Sequence, residues 1–344
     1  MKIDSIDIVP YELIFANEYK NSIMSIDSRK GWIIKISSDG EVGYGDASPL
    51  ELFSSESSSQ AKFGLEGFKL AIDLKQEITF EELEKLSEAH GELQPSVQFA
   101  IDSAIYDLLS KLQQLTLRKL LNSSCLDRVK INYYRDQKIK PFDDMIIKIK
   151  IIDNNIFNQV EKINRILDDY KGKAKLRLDF NGSYDLPRAI RICKMIEDFP
   201  IDYIEQPLSK DNYEDMYELS LHTNIPIAVD EMATDRDSIY RILDYQCADV
   251  FVLKPMLIGG IRQIEKIIKL IKSNDKRVNI SSLLESNVGR LVYLQMCAAF
   301  QIKEECGVAT NVFFTSDICD FPKADKGEIA LGSDYGIGTN EINI

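Results

Sequence analysis

The chain has 344 residues and a mass of 39.2 kDa, which suits one large α/β barrel or two domains of ordinary size. Its 55 acidic residues outnumber its 42 basic residues, and the formal net charge of -13 would repel a phosphate backbone, so we expect no nucleic-acid partner. Hydrophobic residues make up 44% and charged residues 28%, which excludes a disordered or collagen-like chain.

Targeting and membrane signals are absent from the sequence pattern. No apolar run approaches the roughly 18 residues that a transmembrane helix needs. The N-terminal residues MKIDSIDIVP are acidic from the start and lack the apolar stretch of a signal peptide. The six cysteines lie far apart and never form CxxC, so we expect reduced thiols, and the two histidines are too few for a His-rich zinc site. We therefore expect a soluble cytoplasmic protein with no membrane partner.

The first part of the chain, to about residue 128, does not alternate strands with helices. Residues 2–9 and 31–37 alternate apolar and polar side chains like half-exposed antiparallel strands, with a polar stretch at 17–30 between them. A turn-rich run, GYGDASPLELFSSESSSQ, follows from residue 43. Helical periodicity then predicts three helices, at residues 59–73, 80–89 and 95–113. This region is predicted to be an α+β module.

From about residue 130 the pattern changes to short, apolar, β-branched runs separated by amphipathic helices. Such runs are typical of parallel strands buried on both faces in βα units. The six runs end on polar residues that follow each other at intervals of 24 to 29 residues, and this regular period favours a closed barrel. An open doubly wound sheet is the alternative, but no GxGxxG or GxxxxGK[ST] motif occurs. The runs are residues 145–152, 174–180, 202–207, 225–231, 248–254 and 277–282.

Three carboxylates end successive predicted strands: Asp179, Glu205 and Asp230. The carboxyl ends of barrel strands surround one pocket, so these acids would repel one another unless a cation joined them. Oxygen ligands without His or Cys suit a hard ion, so we predict Mg²⁺, with Mn²⁺ or Ca²⁺ as alternatives.

Lysines lie on the strands on either side of these acids. Lys148 and Lys150 end the strand before them, and Lys254 ends the strand after them. A lysine in such a position either holds the acids in salt bridges or serves as a base with a lowered pKa. Base, metal and opposed lysine together indicate proton abstraction next to a carboxylate, with the cation stabilising the enediolate.

The strand ends read KIK (148–150), LRLDFN (176–181), YIEQP (203–207), AVDE (228–231) and VLKP (252–255). These five motifs resemble the muconate-lactonizing subgroup of the enolase superfamily. The N-terminal segments GYGDASPL (43–50) and PSVQFAIDSAIYDLLSK (95–111) resemble the capping domain of that subgroup. The resemblance implies an α/β protein, a (β/α)7β TIM-type barrel with an N-terminal α+β capping domain that the C-terminal segment completes. The implied divisions are residues 1–128, 129–315 and 316–344.

The same resemblance implies a role for each strand-end residue. Asp179, Glu205 and Asp230 would bind Mg²⁺. Asn181 and Glu231 would orient the metal ligands and a catalytic lysine. Ser281 and Ser282 would hold a substrate carboxylate, although a plain turn after a strand fits them as well.

The lysine roles follow from the resemblance too. Lys150 would remove the α-proton and return it to the leaving hydroxyl, and Lys148 would lower the pKa of Lys150 by like-charge proximity. Lys254 would be a fixed cation beside the enediolate in a dehydratase, or the second acid/base in a racemase.

Within the subgroup, the segments KPMLIGGI (254–261), ISSLLESNVGR (280–290) and ASPLELFS (47–54) resemble o-succinylbenzoate synthases of menaquinone biosynthesis. This implies a small-molecule carboxylate substrate. An N-acylamino acid racemase or dipeptide epimerase is the alternative, although GVATNVFF (307–314) lacks the Asp-x-Asp expected of an epimerase. Muconate cycloisomerisation and a barrel that binds an acidic metabolite without turnover are weaker readings.

Two polar segments, residues 17–30 and 53–59, are interpreted as a lid over the barrel mouth, although ordinary flexible loops have the same composition. For the oligomeric state, a monomer and a symmetric assembly both fit the resemblance.

Overall fold

The N-terminal region forms an antiparallel sheet of three strands in sequence order. The strands are β1 (Ser5–Lys20), β2 (Ser25–Ser38) and β3 (Glu41–Ala47). Strand β1 overlaps the predicted strand at 2–9 from residue 5 on, and β2 includes the predicted strand at 31–37. Both extend much further, and together they form a long hairpin. The structure is a computed structural model that describes residues 1–20, 25–51, 53, 56–74, 76–135, 137, 139–151 and 155–344.

Strand β3 lies in the run that the sequence pattern assigned to turns, and this assignment was wrong. Its glycines explain why. A Cβ on Gly43 would lie 2.0 Å from the Ala104 carbonyl oxygen, and one on Gly45 would lie 1.8 Å from that of Ala100. The strand backbone therefore packs directly on a helix, and the two glycines that permit this contact remove the alternating side chains by which a strand is recognised.

Three helices cover this sheet, as the periodicity predicted: α1 (Ser58–Ala71), α2 (Phe80–Gly91) and α3 (Pro95–Leu112). Ser57 and Thr79 form capping boxes at the starts of α1 and α2. Helix α3 is buried on almost every side because β3 packs against one face and barrel residues against another. A short helix, α4 (Leu117–Leu121), and a short strand, β4 (Arg128–Lys130), lead into the barrel.

Seven parallel strands form a curved sheet in sequence order. An eighth segment closes the ring, since Cys306 bridges to Ile131 and Gly307 bridges to Ser281, both in parallel. The predicted (β/α)7β barrel is therefore confirmed. Strand β5 and the closing segment at Cys306 and Gly307 were not among the six predicted runs, because two residues are too few to show a pattern. The strands are β5 (Tyr133–Tyr134), β6 (Met145–Lys150), β7 (Ala174–Asp179), β8 (Ile201–Glu205), β9 (Ile227–Val229), β10 (Val250–Leu253) and β11 (Arg277–Ile280).

Helices surround the barrel, and their apolar faces pack on its outer surface. The 3₁₀ helix Thr310–Phe313 follows the closing segment. None of the helices in the described part of the chain is long and apolar enough to cross a membrane. The helices are α5 (Ile156–Asp169), α6 (Leu186–Ile196), α7 (Tyr213–Ser220), α8 (Arg236–Tyr245), α9 (Pro255–Ile258), α10 (Ile261–Ser273) and α11 (Asn287–Ala299).

The C-terminal segment contacts the N-terminal region. Strands β12 (Ala324–Asp325) and β13 (Glu328–Ala330) form a small antiparallel sheet with β4. Further along, the Ile337 backbone N–H donates to Asp107 of α3 at 2.8 Å, and the Tyr44 hydroxyl of β3 donates to the Asn340 carbonyl at 3.0 Å. The domain limits at residues 128 and 315 stay a prediction.

Candidate active site

Three buried carboxylates lie at the carboxyl ends of adjacent barrel strands. Asp179 is the last residue of β7, Glu205 is the last of β8, and Asp230 directly follows β9. Their exposed fractions are 3%, 0% and 7%. The Lys148 ammonium lies 2.6 Å from Glu205 Oε1 and 3.2 Å from Asp179 Oδ2, so one lysine joins two of the acids.

Lys254 pairs with the third acid, Asp230. Burial works to raise the pKa of Asp230, but the positive charges of Lys254 and Lys148 outweigh it and hold this pKa below its usual value. Burial would lower the pKa of Lys254, yet Asp230 and Glu231 raise it above the ordinary lysine value. The Lys254 ammonium also lies 5.5 Å from the centroid of the Phe53 ring. In this arrangement Lys254 is a charged side chain fixed by its counter-ion.

Lys150 is on the opposite side of the acids, at the end of β6. Its ammonium donates a hydrogen bond of 2.9 Å to the Tyr19 hydroxyl from the N-terminal hairpin. Lys148, two residues earlier, contacts the carboxylates instead, and burial among Asp179, Glu205 and Asp230 leaves its pKa well above the usual value because the acids outweigh the cost of desolvation. The two outer lysines therefore differ, since Lys254 binds a carboxylate and Lys150 binds a phenol.

The acidic cluster has the donor set for a hard cation. Burial, then the neighbouring acids, raises the pKa of Glu205 to about 8 even though Lys148 opposes the shift. Glu205 Oε2 is buried and has no hydrogen-bond donor among the described residues. As the side chains stand, no three acidic, His or Cys residues in the described ranges form a complete coordination shell. Two lysines now neutralise the oxygens that would face an ion, so the residues fit a divalent cation that replaces these contacts.

Asn181 and Glu231 form a second pair beside the acids. Asn181 Nδ2 donates to Glu231 Oε1 at 3.0 Å, and the Asn181 backbone N–H donates to Asp179 Oδ1 at 3.1 Å. Asn181 has a left-handed backbone with φ of 44°, which asparagine tolerates better than most residues. Burial, then Asp230 and Asp179, raises the pKa of Glu231 to about 7. The pair thus connects the ends of β7 and β9.

Gln206 is a site residue that sequence reasoning did not assign. It is fully buried, and its Oε1 accepts from the backbone N–H groups of Asp230 (3.1 Å) and Met232 (3.2 Å). Its own backbone is left-handed, with φ of 40°. Gln206 therefore fixes the turn on which Asp230 is placed. The only sequence signal was its position directly after Glu205 in the YIEQP motif.

Ser281 and Ser282 both line the cavity, but most of their donors have protein partners. Their backbone N–H groups donate to Leu253 and Gly307 in the barrel ladder. The Ser282 hydroxyl donates to Glu285 Oε1 at 2.7 Å and accepts from Thr310. The Ser281 hydroxyl is thus the one donor of this pair for which no partner is seen in the described part of the chain.

Asp179, Asp230 and the three lysines line a cavity of about 920 Å³ at the barrel mouth. Residues 15–19 of β1 form part of its wall, and residues 17–19 among them belong to the segment interpreted as a lid, a role that stays a prediction. The alternative, an ordinary flexible loop, does not fit the described part of this segment. Residues 17–20 and 25–30 lie in strands because β1 and β2 pair with each other in the hairpin. Residues 21–24 are outside the described residues. In the second predicted lid segment, residues 54 and 55 are outside the described residues, Phe53 lines the cavity and residue 58 begins α1. The aromatic lining residues are Phe15, Tyr19, Phe53, Tyr133, Tyr134, Phe313 and Phe321.

Comparison with known families agrees with this geometry. Residues 124–341, more than half of the chain, match the family described as enolase C-terminal domain-like. This chain belongs to the enolase superfamily. Residues 11–108 match the family described as MenC, N-terminal domain. Members of the superfamily bind Mg²⁺.

The relatives of this chain do not all have the same activity. A stretch of 166 residues is 30% identical to o-succinylbenzoate synthase from Thermobifida fusca, and this match spans 48% of the chain and about half (51%) of that relative. The o-succinylbenzoate synthase of Bacillus subtilis is 24% identical over 100% of this chain and 95% of its own. A dipeptide epimerase from Enterococcus faecalis, solved with Mg and the dipeptide L-Leu-L-Tyr, covers 100% of both chains with a TM-score of 0.86 and 22% identity. The last likeness shows the shared fold.

Proposed function

We propose that this enzyme is an o-succinylbenzoate synthase. It would convert 2-succinyl-6-hydroxy-2,4-cyclohexadiene-1-carboxylate to 2-succinylbenzoate, a step of menaquinone biosynthesis, in the cytoplasm. The observation that carries the proposal is the inequality of the two outer lysines: Lys254 is paired with Asp230, whereas Lys150 contacts only a neutral hydroxyl in the contacts seen. One base without a counter-ion among the described residues and one cation fixed by Asp230 suit a one-base elimination better than a two-base racemisation. The match of residues 11–108 to the MenC N-terminal domain supports the same choice.

In the proposed reaction, Lys150 acts first as base and then as acid. Its neutral amine takes the proton from the carbon next to the ring carboxylate, so a C–H bond breaks, an N–H bond forms and the electron pair delocalises into the carboxylate. The resulting ammonium then returns this proton to the hydroxyl at C6. The C–O bond breaks, water leaves and the ring becomes aromatic without any oxidant. The ammonium of Lys254 stands beside the negative charge throughout.

Asp179, Glu205 and Asp230 would hold the metal, Mg²⁺ with Mn²⁺ as an alternative. When bound, the divalent cation supplies positive charge that makes the α-proton more acidic. Asn181 and Glu231 would keep these ligands in register, as their hydrogen bond across the strand ends suggests. Ser281 would donate its hydroxyl to the succinyl carboxylate, and Ser282 would support the loop through Glu285.

An N-acylamino acid racemase or dipeptide epimerase is the second candidate, because relatives of comparable identity include epimerases. That reaction needs Lys254 to leave Asp230 and exchange a proton on the second face of the substrate. The Thr310–Phe313 helix, which lines the cavity where an epimerase would carry Asp-x-Asp, has no carboxylate. This favours a substrate without an amino group.

An ultraviolet assay tests the proposal directly. Purified protein is mixed with the cyclohexadiene substrate and Mg²⁺, and then with EDTA in place of Mg²⁺. The expected result is rapid loss of the diene absorbance that EDTA abolishes and added Mg²⁺ or Mn²⁺ restores. No reaction with Mg²⁺ present would overturn the dehydratase assignment. Solvent deuterium incorporation into both enantiomers of an N-succinylamino acid would then identify a racemase, and its absence together with binding of the acid would identify a non-catalytic barrel.

A further inference from the structure

Tyr19 is the capping-region residue that contacts the proposed base. Besides the 2.9 Å hydrogen bond between its hydroxyl and Lys150 Nζ, the ring centroid lies 4.4 Å from the same nitrogen. The lysine nitrogen therefore meets both the oxygen and the ring of one side chain. An ammonium gains energy from both contacts, because the oxygen accepts a charge-assisted hydrogen bond and the ring attracts a cation.

An irregularity in the hairpin brings Tyr19 to this position. Strand β1 pairs regularly with β2 up to Ile14 opposite Ser28, and pairing resumes at Tyr19 opposite Ile26. Four residues of β1 thus stand opposite one residue of β2. The bulge turns the residues from Phe15 to Tyr19 towards the cavity, which all of them line.

The Tyr19 ring is held by aromatic contacts on both sides of the domain boundary. It stacks on Phe15 at 5.5 Å between centroids and meets the edge of Phe313 at 6.1 Å. Phe15 in turn stacks on Phe314 at 4.5 Å and bridges to it through the backbone. These contacts fix the phenol over the end of β6 without any help from the substrate.

We propose that Tyr19 is a positioning residue for Lys150, an inference that rests on the proposed function of Lys150 as base. A neutral lysine amine has two N–H donors and one lone pair, and the Tyr19 oxygen takes one donor. This limits rotation of the amine and leaves the lone pair for the substrate C–H bond. As the proton arrives, the new ammonium charge forms beside the phenol oxygen and ring, so the contact is stronger in the transition state than before it.

The first test uses Tyr19→Phe, which removes the hydroxyl and keeps the ring. In the dehydratase assay with Mg²⁺, we expect kcat to fall about 10-fold while KM stays nearly constant, because the lost interaction belongs to the transition state. The deuterium isotope effect on kcat, with substrate labelled at the abstracted position, should rise as proton abstraction becomes slower. Tyr44→Phe is the matched control, since its hydroxyl bonds to Asn340 away from the cavity, and it should change neither value.

A second readout needs no turnover and so separates this inference from the proposed function. Trace acetylation with acetic anhydride, followed by peptide mass spectrometry, measures the reactivity of the Lys150 amine in the Mg²⁺-loaded protein. Tyr19→Phe should raise acetylation of Lys150 several-fold relative to exposed lysines, and Tyr44→Phe should not.

Absence of dehydratase activity in the wild-type protein would overturn the proposed function. The acetylation result would still decide whether Tyr19 acts on the Lys150 amine. Equal acetylation of Lys150 in Tyr19→Phe and wild type would overturn the positioning role. A rise in KM alone in Tyr19→Phe would also overturn the positioning role, because Tyr19 would then line the binding cavity without acting on the base.

Discussion

The two ends of the barrel interior both carry buried charges, but they are matched at one end and unmatched at the other. At the amino end of the strands, the fully buried Arg177 donates to Asp202 at 2.7 Å and to the Glu305 carboxylate at 3.2 Å. Arg277 shares Asp202 at 2.7 Å and binds Glu304 as well. Both guanidinium groups therefore have two carboxylate partners, and Asp202 keeps a pKa below its usual value because the two arginines outweigh its burial. At the same end Lys130, 3.7 Å from Glu305, brings the cations to three for three acids.

At the carboxyl end, by contrast, the four acids Asp179, Glu205, Asp230 and Glu231 have two lysines in salt bridges with them among the described residues. Lys148 joins Asp179 and Glu205, Lys254 joins Asp230, and one oxygen of Glu205 has no donor in the described ranges. The pKa of Glu205 is raised to about 8, the opposite direction from Asp202, since burial and the neighbouring acids outweigh Lys148. Matched charges hold a structure together, whereas a local excess of buried acid is a place for a cation and for chemistry.

The largest expected effect is at the carboxyl end. Lys150→Ala should reduce kcat for dehydration by about 10²–10⁴-fold because it removes the proposed general base. Mg²⁺ affinity, measured by calorimetry, should persist because the three carboxylates remain. Lys175→Ala is the control: this lysine is on β7 but points to solvent, and its loss should leave turnover intact. Full turnover by Lys150→Ala would exclude Lys150 as the base.

The contrast between the two ends also shows what the sequence reveals. The barrel and its acids were predictable because the βα period puts Asp179 and Glu205 at strand ends, and the strand order then brings them together. Arg177 lies two residues before Asp179 on β7. No sequence pattern showed, however, that this arginine lies inside the barrel rather than outside it. Contacts between distant segments, such as Tyr19 with Lys150, left no local signal, since they depend on a bulge that the hairpin pairing creates.

At the matched end, we expect loss of stability. Arg177→Met should lower the free energy of unfolding by about 3–5 kcal/mol, because it leaves the partly buried Asp202 and Glu305 with too little positive charge. Urea unfolding followed by circular dichroism measures this loss. The control is Arg165→Met in the exposed pair with Glu161, where about 0.5 kcal/mol is expected. Equal losses in the two variants would mean that the amino-end network contributes no more than a surface pair.

Asp102, one of the buried acids outside the barrel, extends the comparison to the pH dependence of stability. Asp102 on α3 accepts from the Ile261 backbone N–H at the start of α10 (3.0 Å) and from Ser87, and burial raises its pKa to about 7. The Asp102 carboxyl therefore ionises near pH 4 in the unfolded chain and near pH 7 in the folded protein. The contribution of this one group to the free energy of unfolding is therefore largest below pH 4, and it falls as the pH rises from 4 to 7, by up to about 4 kcal/mol.

Asp102→Asn keeps an oxygen acceptor for Ile261 but cannot ionise, so it should flatten this part of the pH dependence. Guanidinium unfolding at pH 4, 5.5 and 7 measures the slope in both proteins. The exposed control Asp198→Asn should follow the wild type. If Asp102→Asn showed the wild-type slope, burial of this carboxyl would not be the source of the pH dependence.

The smallest effect is expected at Arg29, where a buried charge serves the backbone rather than a carboxylate. Its guanidinium donates to the carbonyls of Ser48 (2.6 Å) and Pro49 (3.1 Å) in the capping region and of Leu284 (3.3 Å) in the loop after β11. Leu284 has a left-handed backbone with φ of 66°, which a branched side chain adopts only under constraint. Arg29 therefore connects two cavity-lining loops to each other.

Arg29→Lys keeps the charge but cannot reach all of these carbonyls, so at least one buried acceptor loses its partner. We expect the free energy of unfolding to fall by about 1–3 kcal/mol. KM should rise more than kcat falls, because Leu283 and Leu284 line the cavity and do not touch the proposed base in the contacts seen. Steady-state kinetics and urea unfolding of Arg29→Lys beside the surface variant Arg165→Lys measure both effects. A fall in kcat at constant KM would show instead that Arg29 affects the chemical step at the carboxyl end of the barrel through this loop.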